Sequence, residues 1–372
     1  MKGISYANPL LLLSGIVPLV VCRAWVPSSR RVLFYRVHVK LNTAHAFAKL
    51  LRRPEKLTFL PFIRELEFLG GLAENRWMTT VLPKIAKHIP PLIRAVILNF
   101  SYHSSYSFIR PPFDAITRLE IMHRLPRLKF DDVINCITSF STLEVLRLWM
   151  EEWADTAVPE QSPPPPATLR YLDLRCNSNH LPPFLEWMTS GPAEITTLLL
   201  HIPSSEANCL ASLRQYIGSL SRSLRTLRLS FSHQNWPRDS IASAFVDLLR
   251  LNTQLHALTI RSAQNHAISL LQSMHLPPSV QSITMVVPAS PPFLHTLLPP
   301  KDMPTLDSRM ASLGRLREFR IMYFRDFVLA ETTRQLESVK DRIDVSELPG
   351  CVARGILSED VVNERYPYWY YY

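Results

Sequence analysis

The chain has 372 residues, 47% of them apolar and 19% charged, with a formal net charge of +10, which is ample material for one continuous core. Thirty-one prolines against nine glycines suit short, stiff connections, and no GxGxxG or GxxxxGK[ST] loop is present to cradle phosphate. Five widely spaced cysteines (Cys22, Cys136, Cys176, Cys209, Cys351), with no CxxC pair, fit reduced thiols in a cytoplasmic or nuclear protein better than a disulfide framework.

In chain order, the first feature is the apolar stretch at residues 9–21, "PLLLLSGIVPLVV". It is too short to span a bilayer, which takes roughly 20 residues, though it has the length of a signal-peptide core. Secretion or anchoring is therefore an alternative, and no membrane partner is expected. Residues 1–60 carry ten basic side chains against the one acid Glu55, so this end holds nearly all of the net charge. A basic end on a near-neutral body points to a local acidic partner, with no nucleic-acid groove expected along the whole chain.

From Phe34 an LxxLxL pattern recurs eleven times, with starts at Phe34, Ile63, Ile93, Ile116, Leu143, Leu169, Ile195, Leu224, Leu255, Val280 and Leu316. Spacings of 23 to 36 residues mark a stacked repeat. Helical periodicity lies between the strands. Val133, Ile134, Ile137 and Phe140 form one stripe; Leu210, Leu213, Ile217 and Leu220 form another; Ile241, Ala244, Phe245, Leu248 and Leu249 form a third. Proline pairs such as Pro182-Pro183 and Pro277-Pro278 mark turns, and Pro163–Pro166 reads as a solvent-exposed spacer. Residues 325–350 predict an amphipathic closing helix, followed by the aromatic tail Tyr366–Tyr372.

Strands alternating with helices at this period predict an α/β solenoid of the leucine-rich-repeat kind, an irregular horseshoe with a parallel inner sheet, outer helices and a small helical N-terminal cap. Its parts are an N-terminal segment (1–33), an array of about eleven units (34–324) and a C-terminal cap with the tail (325–372). In standard repeats of this kind an Asn eight positions after the first Leu ties the turns together. Among units two to eleven only that of Leu169 has one, Asn177, so that ladder is expected to be missing. The ten strands expected after the first run over 64–69, 94–99, 117–122, 144–149, 170–175, 196–201, 225–230, 256–261, 281–286 and 317–322. If the first, fourth and sixth positions face the core, the third and fifth line the inner face. Glu67, Glu120, Arg147, Tyr171, Asp173, Leu199, Arg228 and Arg320 are the candidate partner-binding residues there, with Arg147, Tyr171, Asp173 and Arg228 expected to be accessible.

The run "LVVCRAWVPSSRRVLF" (19–34) resembles the second half of the F-box of fungal F-box proteins, where a helix ending in "LVCRAW" leads through "SRRHLF" into the first strand. "LPPSVQSITM" (276–285) is similar to the repeat idiom of the same family. Family members carry an "LPxE(L/I)" segment ahead of this half, whereas residues 1–18 here read "MKGISYANPLLLLSGIVP". The resemblance implies a substrate-recognition subunit of a Skp–cullin–F-box ubiquitin ligase. Val20, Val21, Cys22 and Trp25 are then the contacts to a Skp-type adaptor, with an unknown protein substrate on the concave face. A repeat scaffold without ligase attachment is the alternative.

No catalytic residue, metal site or cofactor is expected: HExxH, zinc spacing and GxSxG are all absent. Glu151, Glu152 and Asp155 read as solvated surface, and Trp149, Trp153 and Trp187 as packing residues.

Overall fold

An apolar residue at the fourth and sixth positions of each unit gives every strand one greasy side, and a layer of helices covers it. The computed structural model describes residues 26–53, 57–70, 81, 84–85, 87–88, 93–100, 115–123, 129–150, 162–203, 207–231, 245–262, 264–288, 303–324 and 348–362. Among them lie β1 (Arg36–Lys40), β2 (Glu65–Gly70), β3 (Ala95–Phe100), β4 (Arg118–His123), β5 (Val145–Met150) and β6 (Tyr171–Arg175). The second half holds β7 (Thr197–Ile202), β8 (Thr226–Phe231), β9 (Ala257–Arg261), β10 (Ser282–Pro288), β11 (Glu318–Phe324) and β12 (Leu357–Val362). They form one open parallel sheet in sequence order, an α/β solenoid. The helices are α1 (Val26–Leu33), α2 (Leu41–Leu50), α3 (Phe130–Thr138), α4 (Leu181–Thr189), α5 (Ala207–Ser219), α6 (Gln264–Ser273), α7 (Met303–Ser312) and α8 (Pro349–Ala353).

All ten expected strands are present, each starting one residue later than the pattern implied. The fourth positions pair without slippage: Val37, Leu66, Val96, Leu119, Leu146, Leu172, Leu198, Leu227, Leu258, Ile283, Phe319 and Leu357 lie side by side across the sheet. From Leu66 to Phe319 each of these is at most 1% exposed. The backbone fixes that register. The carbonyl of each second position from Tyr35 to Gln281 accepts the N–H groups of the second and third positions of the next unit, at 2.8–3.2 Å. Variation in repeat length is therefore taken up by the connections and never by the sheet.

The helices supply the other half of the core. Val133, Ile134, Ile137 and Phe140 are buried, as are Leu210, Leu213, Ile217 and Leu220. The rings of Phe130 and Phe184 meet edge to face at 6.4 Å, joining α3 to α4, and Phe184 meets Trp187 at 5.3 Å. In place of an asparagine ladder, hydroxyls just before the first position reach the preceding unit. Thr142 donates to the Ile116 carbonyl at 3.0 Å, Thr168 to Leu143 at 2.7 Å and Ser279 to Leu255 at 2.7 Å.

Four expectations need correction. The proline run is not wholly exposed: Pro165 and Pro166 are buried. The Pro163 carbonyl accepts the Trp187 indole N–H at 2.8 Å. Pro182 and Pro183 sit in the first turn of α4, where a missing N–H leaves no helical bond unmade. Residues 245–250 close as successive turns, with the Leu248 and Arg250 N–H groups bonded three residues back, although Phe245, Leu248 and Leu249 are buried as the stripe required. The sheet also continues beyond position 324, through β12. Residues 325–347 and 363–372, with most of the expected closing helix and the aromatic tail, lie outside the described residues, as do residues 240–244.

Polar contacts hold β12 and α8 on the array. Asp307 of α7 accepts the backbone N–H groups of Gly350 and Cys351, both at 2.8 Å. Arg354 donates to the carbonyls of Met310, Ala311, Leu313 and Leu316 at 2.6–3.2 Å. Asp307→Ala leaves one buried donor (Cys351 N–H) and one half-buried donor (Gly350 N–H) without an acceptor and is expected to cost about 1–3 kcal/mol in urea denaturation. Gly191→Ala tests the proline packing: an added Cβ would lie 2.5 Å from the Pro165 ring carbon Cγ. Overpacking a rigid ring is expected to cost about 1–3 kcal/mol by the same measurement.

Candidate partner-recognition face

With the fourth and sixth positions turned to the helices, the third, fifth and seventh emerge on the opposite, open face. Glu67 (β2), Glu120 (β4), Arg147 (β5), Tyr171 and Asp173 (β6), Leu199 (β7), Arg228 (β8) and Arg320 (β11) all stand at fifth or third positions of this face. Val20, Val21, Cys22 and Trp25 lie outside the described residues, as do Glu151, Glu152, Trp153 and Asp155.

From β1 to β6 the charges interlock across the strands. Arg36 Nη2 is 2.6 Å from Glu65 Oε2, and Arg118 Nη1 reaches the other oxygen of Glu65 at 3.2 Å. Arg118 does so across β3, at the register position where Ala95 offers only a methyl group. Arg118 also donates to Glu120 Oε1, and Arg147 Nη1 donates to that same oxygen at 3.0 Å. Asp173 lies between Arg147 Nε at 3.9 Å and Arg175 Nε at 3.7 Å. Two guanidinium groups rest on rings: Arg175 on Trp149 at 4.4 Å and Arg147 on Tyr171 at 5.5 Å.

Charge of the two signs sits at different depths. The acidic side chains are 6% (Glu65) to 11% (Glu67) exposed, while the arginines paired with them are 22% (Arg175) to 41% (Arg36) exposed. Asp173, expected to be accessible, is therefore buried, and Glu67 and Glu120 are buried too. They act as counter-charges beneath the arginines, because a carboxylate on a short stem cannot rise above the guanidinium groups that flank it. Arg147, Tyr171, Leu199 and Arg228 are partly exposed, and Arg320 pairs with Glu318 of its own strand at 2.5 Å.

The seventh positions were missed in the sequence, although the two-residue period of a strand extends to them. They add Trp149 and Arg175, which form the tightest cation–ring contact on this face, and the buried Arg261. Trp187, by contrast, is a core residue.

Burial and pairing set the ionisation of the acids in opposite directions. Burial pushes the Asp173 carboxyl above its ordinary value, and the charges of Arg175, Arg147 and Arg228 offset only part of that. Burial also opposes the Glu67 charge. There the hydrogen bond with His38 (2.8 Å), the charges of His38 and Arg36, and a hydrogen bond from Asn99 together win, holding the carboxyl below its ordinary value of 4.5. Burial works against the Arg147 charge as well, and Glu120, Tyr171 and Asp173 more than restore it. The four described cysteines are buried and form no disulfide among the described residues, and burial lifts the Cys136 thiol to about 12, which makes it a poor nucleophile.

Neither a scan of protein-family models nor a search of curated proteins gives a match. Among solved structures, a protein from Bacteroides fragilis is similar over 89% of this chain and 75% of its own, with 9% identity and a TM-score of 0.36. Among the described residues no helix is long and apolar enough to cross a membrane.

Because its folded pKa is lowered, Glu67 contributes stability above the unfolded value and loses that contribution as the pH falls through the folded one. Glu67→Gln is thus expected to be less stable than the native chain at pH 6, with the difference closing below about pH 4. Chemical denaturation across that range measures it; a gap independent of pH would show that folding does not lower the Glu67 pKa.

Proposed function

We propose that the protein is a non-enzymatic binding adaptor that receives a protein partner on the open sheet face. The observation that carries this reading is the set of arginines pinned from below by buried carboxylates and backed by rings. Fixed guanidinium groups and aromatic side chains lose little entropy on docking, and Arg, Tyr and Trp are the residue types enriched at binding hot spots. Tyr171, Arg147, Trp149 and Arg175 lie together on the neighbouring strands β5 and β6 near the middle of the array.

The ligase role rests on the resemblance of residues 19–34 to the second half of an F-box. Two features of the described part agree with it. Residues 26–33 of the matched run form α1, which leads directly into β1, and Val32 and Leu33 on that helix are 79% and 69% exposed. Exposed apolar side chains at the start of the array suit attachment to a Skp-type adaptor, leaving the open face for substrate. A cytoplasmic or nuclear site of action follows from that role.

Co-expression of the full chain with a Skp-type adaptor is expected to give a stable complex that Trp25→Ala abolishes. No complex would leave a repeat scaffold without ligase attachment. Tyr171→Ala is expected to preserve the adaptor complex and the fold while weakening partner binding by about 1–3 kcal/mol. Deleting residues 366–372 supplies the counter-test: if only that deletion abolishes partner binding, the recognition surface lies in the aromatic tail.

A further inference from the structure

On the reading that the open face receives a protein, we infer that its occupant is an acidic, extended peptide segment lying across β4–β8, held by Arg118, Arg147, Arg175 and Arg228. The third, fifth and seventh positions of β1–β11 carry eight Lys or Arg and five Asp or Glu residues, a surplus of three positive charges. Depth sharpens the bias. Glu65, Glu67, Glu120 and Asp173 are all buried, so an approaching partner meets guanidinium groups and not the acids beneath them. The carboxylates hold the arginines in place without cancelling the face they present, because a carboxylate under a guanidinium engages its lower edge and leaves the outer N–H groups for an incoming acceptor.

Geometry limits what fits. Strands stand about 4.8 Å apart, so β4 to β8 spans roughly 19 Å, the reach of about six extended residues. Across that span the arginines are interleaved with Trp149, Tyr171 and the aliphatic Val145 and Leu199, and the last two offer apolar contact to peptide side chains but no ring for a base to stack on. Thr197, Thr226 and Ser230 on β7 and β8 are short, so they let a backbone approach Arg228. The small surplus of charge favours a short acidic peptide over a nucleic acid, whose affinity grows with every phosphate neutralised. The sequence placed the basic excess at residues 1–60; the fold puts a row of half-exposed guanidinium groups at the centre of the array.

The test uses the full chain and a fluorescent peptide of about eight residues alternating Glu with Leu or Ala, with a Gln-for-Glu analogue and a single-stranded oligonucleotide of similar length. The Glu peptide is expected to bind at least tenfold more tightly than its Gln analogue and to weaken as salt is raised. Arg175→Gln with Arg228→Gln is expected to lower its affinity at least tenfold, with thermal unfolding measured alongside to show that the variant folds. Equal binding of the Gln analogue, or tighter binding of the oligonucleotide, overturns the inference. A neutral peptide captured from an array and mapped to β4–β8 by hydrogen exchange would overturn it while leaving the open-face reading intact. No peptide of any composition protecting that face would overturn both.

Discussion

The two-residue period of a strand is the constraint from which the rest of this molecule follows. Leucines at the fourth and sixth positions must both reach the helices, so the third, fifth and seventh have no choice but the other side. Once the fourth positions pair side by side, as Leu146, Leu172 and Leu198 do, every odd position is also in register with its neighbours. A one-residue slip anywhere would exchange the two faces and expose the core row. The paired N–H groups that close on each second-position carbonyl oppose such a slip, and they recur from β1 to β11 through connections of very different length.

Registered odd positions turn scattered charges into a connected chain. Arg118, Arg147 and Arg175 belong to different units, yet each lies within reach of a carboxylate it shares with another arginine. Distance decides what each carboxylate gains. Glu67 receives the His38 ring nitrogen at 2.8 Å, and its charge is favoured despite burial; Asp173 has its guanidinium partners at 3.7 Å and 3.9 Å, and burial prevails. Removing an arginine from such a half-buried pair leaves a buried carboxylate uncompensated, at a cost that solvent at the exposed guanidinium keeps below the figure for fully buried pairs. Arginine suits this place better than lysine, since its planar fork can serve two acceptors and lie flat on a ring at once.

Much of this was legible in the sequence, and the illegible parts have physical reasons. LxxLxL fixed the strands and the fourth-position core because leucine there has no other place to go. β12 carries no such pattern: Arg354 stands at its first position and Glu359 at its sixth, and hydrogen bonds from Arg354 to four carbonyls replace the leucine contacts. The identities of Glu120 and Asp173 placed them on the correct face but said nothing of depth, which depends on the length of the arginines flanking them. The hydroxyl contacts of Thr142, Thr168 and Ser279 have no signature in the repeat pattern, because these residues stand one position before each unit and nine before the asparagine position. Pro165 and Pro166 were read from composition as exposed, whereas burial depends on Trp187 and Gly191, well downstream in the chain.

A face built this way separates the two demands placed on its residues. The apolar fourth and sixth positions hold the sheet against its helices and never meet a partner. The buried acids belong to neither layer: they are too deep to touch a ligand and too polar to add to the core. Their contribution is orientation, for without Glu120 and Asp173 the guanidinium of Arg147 would keep only its contact with the Tyr171 ring to define its direction. On the proposed reading, recognition at the open face would depend on residues that no partner reaches, such as Asp173, whose charge is opposed by burial.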